Sequence, residues 1–393
     1  AVLVLTLGSL WLIIGGGRGD VPLSPTAVLE MSLSEGGSRE QGVSGTPTAL
    51  VLVVTPTPPP ASPLPVLPTS TATPTAIPPS PTHTPLPPTD TPPPTPTSPP
   101  PTSAAHFGRL AFSSNRSGNA EIYVLDLTSG NLQRLTRNSA SDWLPDWSPD
   151  GSKIAFTSHR TGSYDLWVMN ADGSGQKVWV ATGAWDEYAR WGPKGRRLSL
   201  STTATTQGVP NSEIFVRQRD GSLTRLTFST AEDQWADWSP DGRIVYTEGF
   251  QDSGDWDIFI INADGSGRTT WLDSDRCDIQ PTWSPDGQWI AFMRAAYDTN
   301  GNGRLDFEDK GDIWLGKATG GGLRQLTSGY WATTPAWSPD SRWIAFARSR
   351  DTNHNGRSDD SEPADIWAVS LQGEGLVPLL ESDYRDGDPS WTW

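Results

Sequence analysis

The sequence predicts an all-β fold, a six-bladed β-propeller of four-stranded blades. The motif Trp-Ser-Pro-Asp-Gly occurs three times, at residues 147–151, 238–242 and 283–287. Altered copies begin at Trp191 and Trp337, and a partial copy ends in Trp391. The six repeat tryptophans are 44, 47, 45, 54 and 54 residues apart. A period in the forties with strand-like content is typical of propellers.

Each repeat predicts an antiparallel meander of four strands. In the clearest unit, a Ser-Pro-Asp-Gly turn at 148–151 is followed by β-rich runs at 154–158, 165–169 and 177–180. Short β-rich runs bounded by turn residues are typical of such strands. Proline presets φ at the second turn position and glycine supplies positive φ at the fourth, so the aspartate between them is expected to be structural.

The two ends of the repeat region predict how the ring closes. The first strand, at residues 109–113, has no inner strand before it, and the final strand, at 389–393, has no partner after it. Pairing the C-terminal strand with the N-terminal blade would complete six blades. It would also remove the exposed sheet edges that promote aggregation.

The recurring elements WSPDG, IAF, DIY, NADGSG and RLT extend over residues 106–393. They resemble those of the TolB-type propeller family. The resemblance implies a scaffold shared by periplasmic protein-binding components, propeller domains of serine peptidases and a few lyases. Because one fold hosts these different functions, the resemblance does not choose among them.

The residues before the propeller predict export. Residues 1–17 begin with fourteen apolar positions without a charge, which is typical of a signal peptide or of a truncated membrane anchor. Residues 18–105 form a linker with 21 prolines between 55 and 103. Because proline removes the backbone donor, we expect a disordered, extended stalk. The predicted location is the membrane-anchored cell surface or the periplasm, with membrane contact through the N-terminal segment only.

The charge distribution limits the partners. Residues 1–105 hold five acidic and two basic residues, so 40 acidic and 27 basic residues belong to the propeller. This excess argues against nucleic acid and favours cations or cationic partners. Cys277 is the single cysteine, which excludes an internal disulfide and a cysteine-based metal cluster. We expect a monomer.

Two insertions between the second and third strands of the last two full repeats predict calcium (Ca²⁺) loops. Each has oxygen side chains at positions 1, 3 and 5, glycine at 6, a backbone carbonyl at 7 and acids at 9 and 12. The predicted ligands are Asp298, Asn300, Asn302, Arg304, Asp306 and Asp309 in the first loop, and Asp351, Asn353, Asn355, Arg357, Asp359 and Glu362 in the second. Asp309, in place of glutamate, predicts weaker binding. The alternative is that these runs are simply favourable turns.

An antiparallel meander places the calcium loops and the segments that precede the inner strands on one face. Aromatic and acidic side chains on that face would suit a sugar, a peptide or a basic side chain. The predicted ligand or partner residues are Asp142, Trp143, Asp186, Tyr188, Asp233, Trp235, Trp331, Tyr384 and Asp386. The alternative is that these aromatics pack between neighbouring blades.

Catalysis finds little support in the sequence. The propeller has three histidines, His106, His159 and His354, and no Ser-His-Asp set can be assembled from their positions. No spacing singles out a carboxylate pair for glycoside hydrolysis. We expect a noncatalytic, calcium-stabilised binding or scaffold protein that recognises a protein or polysaccharide of the cell envelope. The alternative is a hydrolase or lyase that acts on peptide or polysaccharide at the channel mouth.

Overall fold

The structure is a computed structural model of the 393-residue chain. The residues that it describes are 3–6, 9–12, 108–206, 208–250, 254–295, 298, 299, 301, 303, 305, 309–350, 352, 362–373 and 375–393. The chain divides into two units, Ala1–Thr89 and Asp90–Trp393.

The described part of the first unit is a short hairpin. Strands β1 (Leu3–Thr6) and β2 (Ser9–Leu12) pair antiparallel, with Leu3 opposite Leu12. Within the described residues, no helix has the length and apolar character needed to cross a membrane. The predicted stalk at 18–105 lies outside the described residues, and the signal or anchor role of residues 1–17 stays a prediction.

The described residues of the second unit form strands and no helix. The strands are β3 (Arg109–Ser114), β4 (Glu121–Asp126), β5 (Leu132–Arg134), β6 (Asp142–Trp147), β7 (Lys153–Ser158), β8 (Asp165–Asn170), β9 (Lys177–Val180), β10 (Asp186–Trp191), β11 (Leu198–Thr206), β12 (Val209–Arg217), β13 (Leu223–Arg225), β14 (Glu232–Trp238), β15 (Arg243–Gly249), β16 (Trp256–Asn262), β17 (Thr269–Leu272), β18 (Cys277–Trp283), β19 (Trp289–Ala295), β20 (Gly311–Lys317), β21 (Arg324–Gln325), β22 (Trp331–Trp337), β23 (Trp343–Ser349), β24 (Ala364–Ser370), β25 (Leu376–Leu380) and β26 (Asp386–Thr392).

These strands confirm an all-β propeller, but the prediction of six separate blades needs correction. In the described part of the chain, four sheets stand as separate four-stranded blades, in the orders β6-β7-β8-β9, β10-β11-β12-β13, β22-β23-β24-β25 and β26-β3-β4-β5. Strands β14 to β21 form one eight-stranded sheet instead. A parallel bridge between Trp256 and Cys277 joins its two halves. The start of the third strand of one meander, β16, therefore pairs with the start of the first strand of the next, β18.

The predicted closure of the ring is confirmed. Strand β26 pairs antiparallel with β3, with Asp386 opposite Ser114 and Thr392 opposite Arg109. The same sheet continues through β4 and β5, so the C-terminal strand completes the N-terminal blade. Closure leaves neither terminal strand of the ring as a free edge.

The Ser-Pro-Asp-Gly turns form as their residue types dictate. In the first, the Gly151 amide donates to the Ser148 carbonyl at 2.8 Å, and Gly151 has a φ of 64°. The Asp150 carboxylate accepts the Ser148 hydroxyl at 2.6 Å and the Ser152 amide at 3.0 Å. These bonds lower the pKa of Asp150 to about 2. The turn aspartate is structural, as predicted.

The repeat tryptophans are buried between neighbouring meanders. Trp147 is 5% exposed and packs with Ile122 and Val124 of the preceding blade and with Ile154 and Phe156 of its own. Burial of a side chain of this size stabilises the fold by about 2–3 kcal/mol. Because the core lies between blades, each blade depends on both neighbours.

A buried carboxylate stands at the beginning of most of the strands that carry a repeat tryptophan, which are the first strands of the meanders. Three of these carboxylates pair with arginine: Asp142 with Arg160 at 2.5 Å, Asp278 with Arg294 at 2.5 Å, and Asp386 with Arg116 at 2.7 Å. Asp186 instead accepts hydrogen bonds from the amide and the hydroxyl of Thr182. Strand β22 has Ala332 at this position.

Asp233 has an acidic neighbour where Asp278 has a basic one. Glu248 lies opposite Asp233 across the strand pair, as Arg294 lies opposite Asp278. Asp233 is fully buried. Burial first, and then the charge of Glu248, raise the pKa of Asp233 to about 9. A carboxyl group whose pKa is raised on folding favours the folded state less as pH rises from about 4 to about 9.

We therefore expect Asp233→Asn to raise the free energy of unfolding at pH 8 by about 2 kcal/mol, because folding at that pH no longer requires a buried carboxyl group to take up a proton. The gain should shrink towards pH 4, where the carboxyl group of the unfolded chain also begins to be protonated. Urea unfolding at pH 8 and pH 4.5 measures it. The matched control, Asp278→Asn, should lose about 3–5 kcal/mol, because Arg294 is left buried without its partner. Equal losses in the two variants would contradict the assignment.

Candidate functional site

The candidate site is the channel at the centre of the ring. Its walls are the strands that end in the repeat tryptophans, which we call the inner strands: β6, β10, β14, β18, β22 and β26. They enclose a cavity of about 1010 Å³. The loops before the inner strands, and those that join the second and third strands of each meander, lie at one end of the ring, which we call the mouth.

Each inner strand carries a β-bulge where it faces the channel. The pairing register shifts between the fourth and the first residue before the tryptophan, for example between Trp143 and Asp146. Six non-glycine residues at these bulges have φ between 51° and 56°, and all six line the cavity: Leu144, Tyr188, Trp235, Gln280, Thr334 and Asp388. Strained backbone is concentrated at functional sites because the surrounding structure must stabilise it.

The bulge residues were mostly missed by the sequence analysis. Tyr188 and Trp235 were predicted for their aromatic character, but Leu144, Gln280, Thr334 and Asp388 were not. All six stand three residues before a repeat tryptophan. That fixed spacing was the signal that could have found them, because every repeat places the same position on the channel wall.

The wall is aromatic on the side of β6, β10 and β14. Ring centroids lie 5.5 Å apart for Trp143 and Tyr164, and 5.5 Å apart for Tyr164 and Trp185. A second group joins Tyr188 to Trp235 at 5.4 Å and Trp235 to Trp256 at 5.6 Å. Such tilted and edge-on pairs are the geometries that aromatic rings prefer.

The wall on the side of β18, β22 and β26 is small and polar. Gln280 and Thr334 are connected there, because the Thr334 amide donates to Gln280 Oε1 at 2.7 Å. The Ser113 hydroxyl donates to Asp388 Oδ2 at 2.7 Å. One half of the channel therefore offers ring faces, and the other half offers hydrogen-bonding groups.

Glu187, on the aromatic side of the channel, is a cavity-lining carboxyl group with a raised pKa. It is half-buried and lines the cavity. Burial first, and then the charge of Asp186, raise its pKa to about 7. Burial also raises the pKa of the neighbouring Tyr188 hydroxyl. The site thus contains one carboxyl group that changes its charge near neutral pH.

Two aspartates that directly precede repeat tryptophans, Asp146 and Asp237, have a structural role. Asp146 accepts the Trp191 amide at 2.8 Å, and Asp237 accepts the Trp283 amide at 2.7 Å, so each carboxylate links one blade to the next. Burial raises the pKa of Asp146 to about 6, and that of Asp237 is also raised. Arg190 lies on the strand between them and opposes both shifts.

The residues predicted for ligand or partner contact separate into four groups. Trp143, Tyr188 and Trp235 line the cavity. The four aspartates are fully buried at the starts of inner strands, outside the cavity lining: Asp142, Asp186, Asp233 and Asp386. Trp331 is 4% exposed, with the Lys310 ammonium 4.8 Å from its ring centroid. Tyr384 is exposed at the mouth, with the Arg116 guanidinium 5.6 Å from its ring centroid.

Three of the twelve predicted calcium ligands lie among the described residues. Asp298 accepts the amides of Gly301 and Gly303 at 2.7 and 2.8 Å. Asp309 and Glu362 are buried. The other nine lie outside the described residues: Asn300, Asn302, Arg304, Asp306, Asp351, Asn353, Asn355, Arg357 and Asp359. Among the described residues alone, no group of three or more His, Cys, Asp or Glu could hold a metal ion.

Comparison with known proteins identifies the family. Residues 100–246 and 189–393 match the model of the TolB beta propeller domain, and together these matches cover about three quarters of the chain. The chain belongs to the TolB beta-propeller family. The TolB match includes every inner strand, so the channel described above is part of the family's domain.

Individual TolB relatives are distant. The chain is 29% identical over 189 residues to the protein TolB homolog of Chlorobium luteolum, a match that covers 48% of this chain and 32% of the relative. It is 27% identical over 150 residues to the uncharacterized peptidase YuxL of Bacillus subtilis, covering 35% and 21%. The crystal structure of TolB from Acinetobacter baumannii superposes with a TM-score of 0.56 at 18% identity, covering 72% of this chain and 66% of that one. The chain thus spans less than a third of the two sequence relatives and about two thirds of the solved TolB chain.

The positive φ at the bulge predicts that a glycine substitution there stabilises this TolB-family propeller. We expect Thr334→Gly to raise the free energy of unfolding by up to about 1 kcal/mol, because glycine adopts positive φ without strain. The substitution also removes the Thr334 hydroxyl, which is buried without a hydrogen-bond partner. Thermal unfolding measures the change. The adjacent control, Thr333→Gly, should lower stability by about 1 kcal/mol. A loss in both variants would show that the Thr334 backbone is not strained.

Proposed function

We propose that this propeller is a noncatalytic binding protein of the cell envelope, stabilised by calcium, which recognises a partner at the mouth of its channel. The observation that carries the proposal is the position of the exposed aromatic side chains. Four large hydrophobic residues that are 45–66% exposed lie in loops at the mouth: Trp185, Phe228, Phe250 and Tyr384. Exposed aromatics that surround a concave site are typical of an interaction surface.

The asymmetry of the channel supports a ligand with two chemical sides. Ring faces line β6, β10 and β14, whereas amide, hydroxyl and carboxylate groups line the opposite strands. A peptide segment, or a sugar with an apolar face and hydroxyl groups, would satisfy both walls. The net charge of −16 favours a neutral or cationic partner over an anionic one.

The envelope location is part of this proposal. The apolar run at residues 1–14 and the proline-rich segment at 55–103 are typical of an exported protein with a stalk. We propose a monomer displayed outside the cytoplasm, and a protein or a polysaccharide of the envelope as its partner.

A hydrolase or lyase remains the second candidate. Glu187, with a pKa near 7 in a partly buried aromatic channel, has the property expected of a general acid or base. The relative named as a peptidase adds support, although the chain covers only 21% of that protein.

The calcium part of the proposal rests on a bonding pattern that both loops share. In the first loop, the Thr299 amide and hydroxyl donate to Asp309 Oδ1 at 2.7 and 3.1 Å. In the second, the Thr352 amide and hydroxyl donate to Glu362 Oε1 at 2.7 and 3.3 Å. The second position thus contacts the twelfth in each loop, which brings the two ends of the loop together. A bound calcium ion would be held by oxygen ligands from the loop between these ends.

The first calcium loop also reaches the channel wall. Leu305, at its eighth position, packs against a buried cluster that includes Trp256, Cys277 and Met293. Trp235 packs on the same cluster and lines the cavity. Ordering of this loop by calcium would therefore fix one part of the aromatic wall as well as the fold.

We expect millimolar calcium to raise the melting temperature of the chain by several degrees, because saturation at about 100 times Kd adds about 2.7 kcal/mol to the folded state. Asp298→Ala combined with Glu362→Gln should abolish the rise. Magnesium at equal ionic strength, and the Ser-Pro-Asp-Gly turn variant Asp150→Asn with calcium, are the controls. The calcium proposal fails if the double variant keeps the full shift.

We expect Trp143→Ala with Trp185→Ala to weaken capture of envelope partners at least tenfold, because aromatic anchors supply much of the binding free energy at interfaces. Quantitative pull-down from envelope extracts, followed by titration of each recovered partner, measures the loss. The matched control is Leu132→Ala with Val178→Ala, which removes exposed apolar side chains from outer strands. Unchanged affinity in the tryptophan variant would place the partner surface elsewhere.

A further inference from the structure

Three carboxylates line the described part of the cavity, and their partners differ. Glu232 accepts the Ser212 amide at 2.7 Å. Asp388 accepts the Ser113 hydroxyl at 2.7 Å. No described residue donates a hydrogen bond to Glu187 or forms an ion pair with it. The Glu187 carboxylate therefore lines the cavity without a hydrogen-bond donor from the described residues.

Three aromatic side chains line the same cavity as this carboxyl group: Trp143, Tyr164 and Trp185. Trp143 occupies the equivalent position on the neighbouring inner strand, four residues before its repeat tryptophan, and lines the same cavity. Trp185 precedes Glu187 by two residues. The Asp186 amide donates to the Tyr164 carbonyl at 2.8 Å, which holds the Tyr164 loop beside this segment. This part of the cavity wall combines one carboxyl group with three aromatic side chains, of which Tyr164 contacts both tryptophans.

The guanidinium on the same strand is engaged elsewhere. Arg190 also lines the cavity, and its charge opposes the pKa increases of Asp146 and Asp237. It is also flanked by those two carboxylates on both neighbouring strands. The positive charge that would complement Glu187 is thus not supplied by its own strand, and an occupant of the channel can supply it.

We propose that the wall formed by Glu187, Trp143, Tyr164 and Trp185 binds a primary ammonium group of the partner. An ammonium group has three N–H donors for the carboxylate, and its charge is attracted to the faces of tryptophan and tyrosine. A neutral hydroxyl group would not compensate the partial desolvation of the carboxylate as well. A lysine side chain and an amino sugar both present this group.

This inference rests on the proposed function, since it specifies the chemistry that the mouth recognises. The raised pKa of Glu187 agrees with it, because a carboxyl group that is partly protonated without its counter-ion gains its charge when a cation enters. Asp186 and Tyr188 flank Glu187 on its own strand, and Arg190 and Glu232 line the same cavity. The acids among them add to the attraction for a cation.

The test is a titration of the full chain with small ammonium probes. Nα-acetyl-L-lysine amide and glucosamine carry the group, and their neutral counterparts are Nα-acetyl-L-norleucine amide and N-acetylglucosamine. The indole N–H resonances of Trp143 and Trp185, assigned from Trp→Phe variants, report binding at the site. We expect at least one ammonium probe to bind in the millimolar range and its neutral counterpart at least tenfold more weakly. Whichever amine binds more tightly identifies the source.

Glu187→Gln keeps the size of the side chain and removes its charge. It should equalise the affinities of each ammonium probe and its neutral counterpart, with the melting temperature confirming that the variant folds. Glu381→Gln is the matched control, an exposed glutamate outside the cavity lining, and should change neither affinity. Equal binding of charged and neutral probes by the wild type, or no binding of either amine, would overturn the inference. Because partner capture is measured separately with the tryptophan variants, the proposed function can survive that result.

Discussion

The antiparallel pairing of β26 with β3 holds the whole ring together, since it joins the last strand of the chain to the first strand of the propeller. A hydrogen bond across this closure follows the same pattern as the bonds between other blades. The Trp147 amide donates to Ser390 Oγ at 3.1 Å, as the Trp191 amide donates to Asp146. Since the core lies between blades, the free energy of each interface depends on closure. The channel exists because the inner strands are held in this circle.

The repeats share the residues that stabilise the blades but differ in the side chains that line the channel. At the start of the inner strands, buried aspartates recur with arginine or hydroxyl partners, and these positions stabilise the blades. At the bulge, three residues before each tryptophan, the side chains are leucine, tyrosine, tryptophan, glutamine, threonine and aspartate. The backbone is the same in each case, so these positions differ only in the chemistry of their side chains. This variation contributes Tyr188 and Trp235 to the aromatic half of the wall, and Gln280, Thr334 and Asp388 to the polar half.

The first of the two predicted calcium loops contacts the residues that support the channel wall. Leu305 belongs to the first loop and packs on the cluster that supports Trp235. Asp309, at the end of that loop, is 1% exposed and accepts two hydrogen bonds from Thr299.

The sequence by itself determined the all-β fold, the meander of each repeat and the closure of the ring, because turn residues and alternating strand residues act locally and recur with a fixed period. The tertiary structure decided which side chains face the channel. Asp142 and Trp143 were predicted to share one face, but the aspartate is buried and the tryptophan lines the cavity. Successive side chains of a strand point in opposite directions, and the bulge then changes the register. The join between Trp256 and Cys277 was also decided at this level, because one bridge between neighbouring meanders leaves no pattern in the sequence.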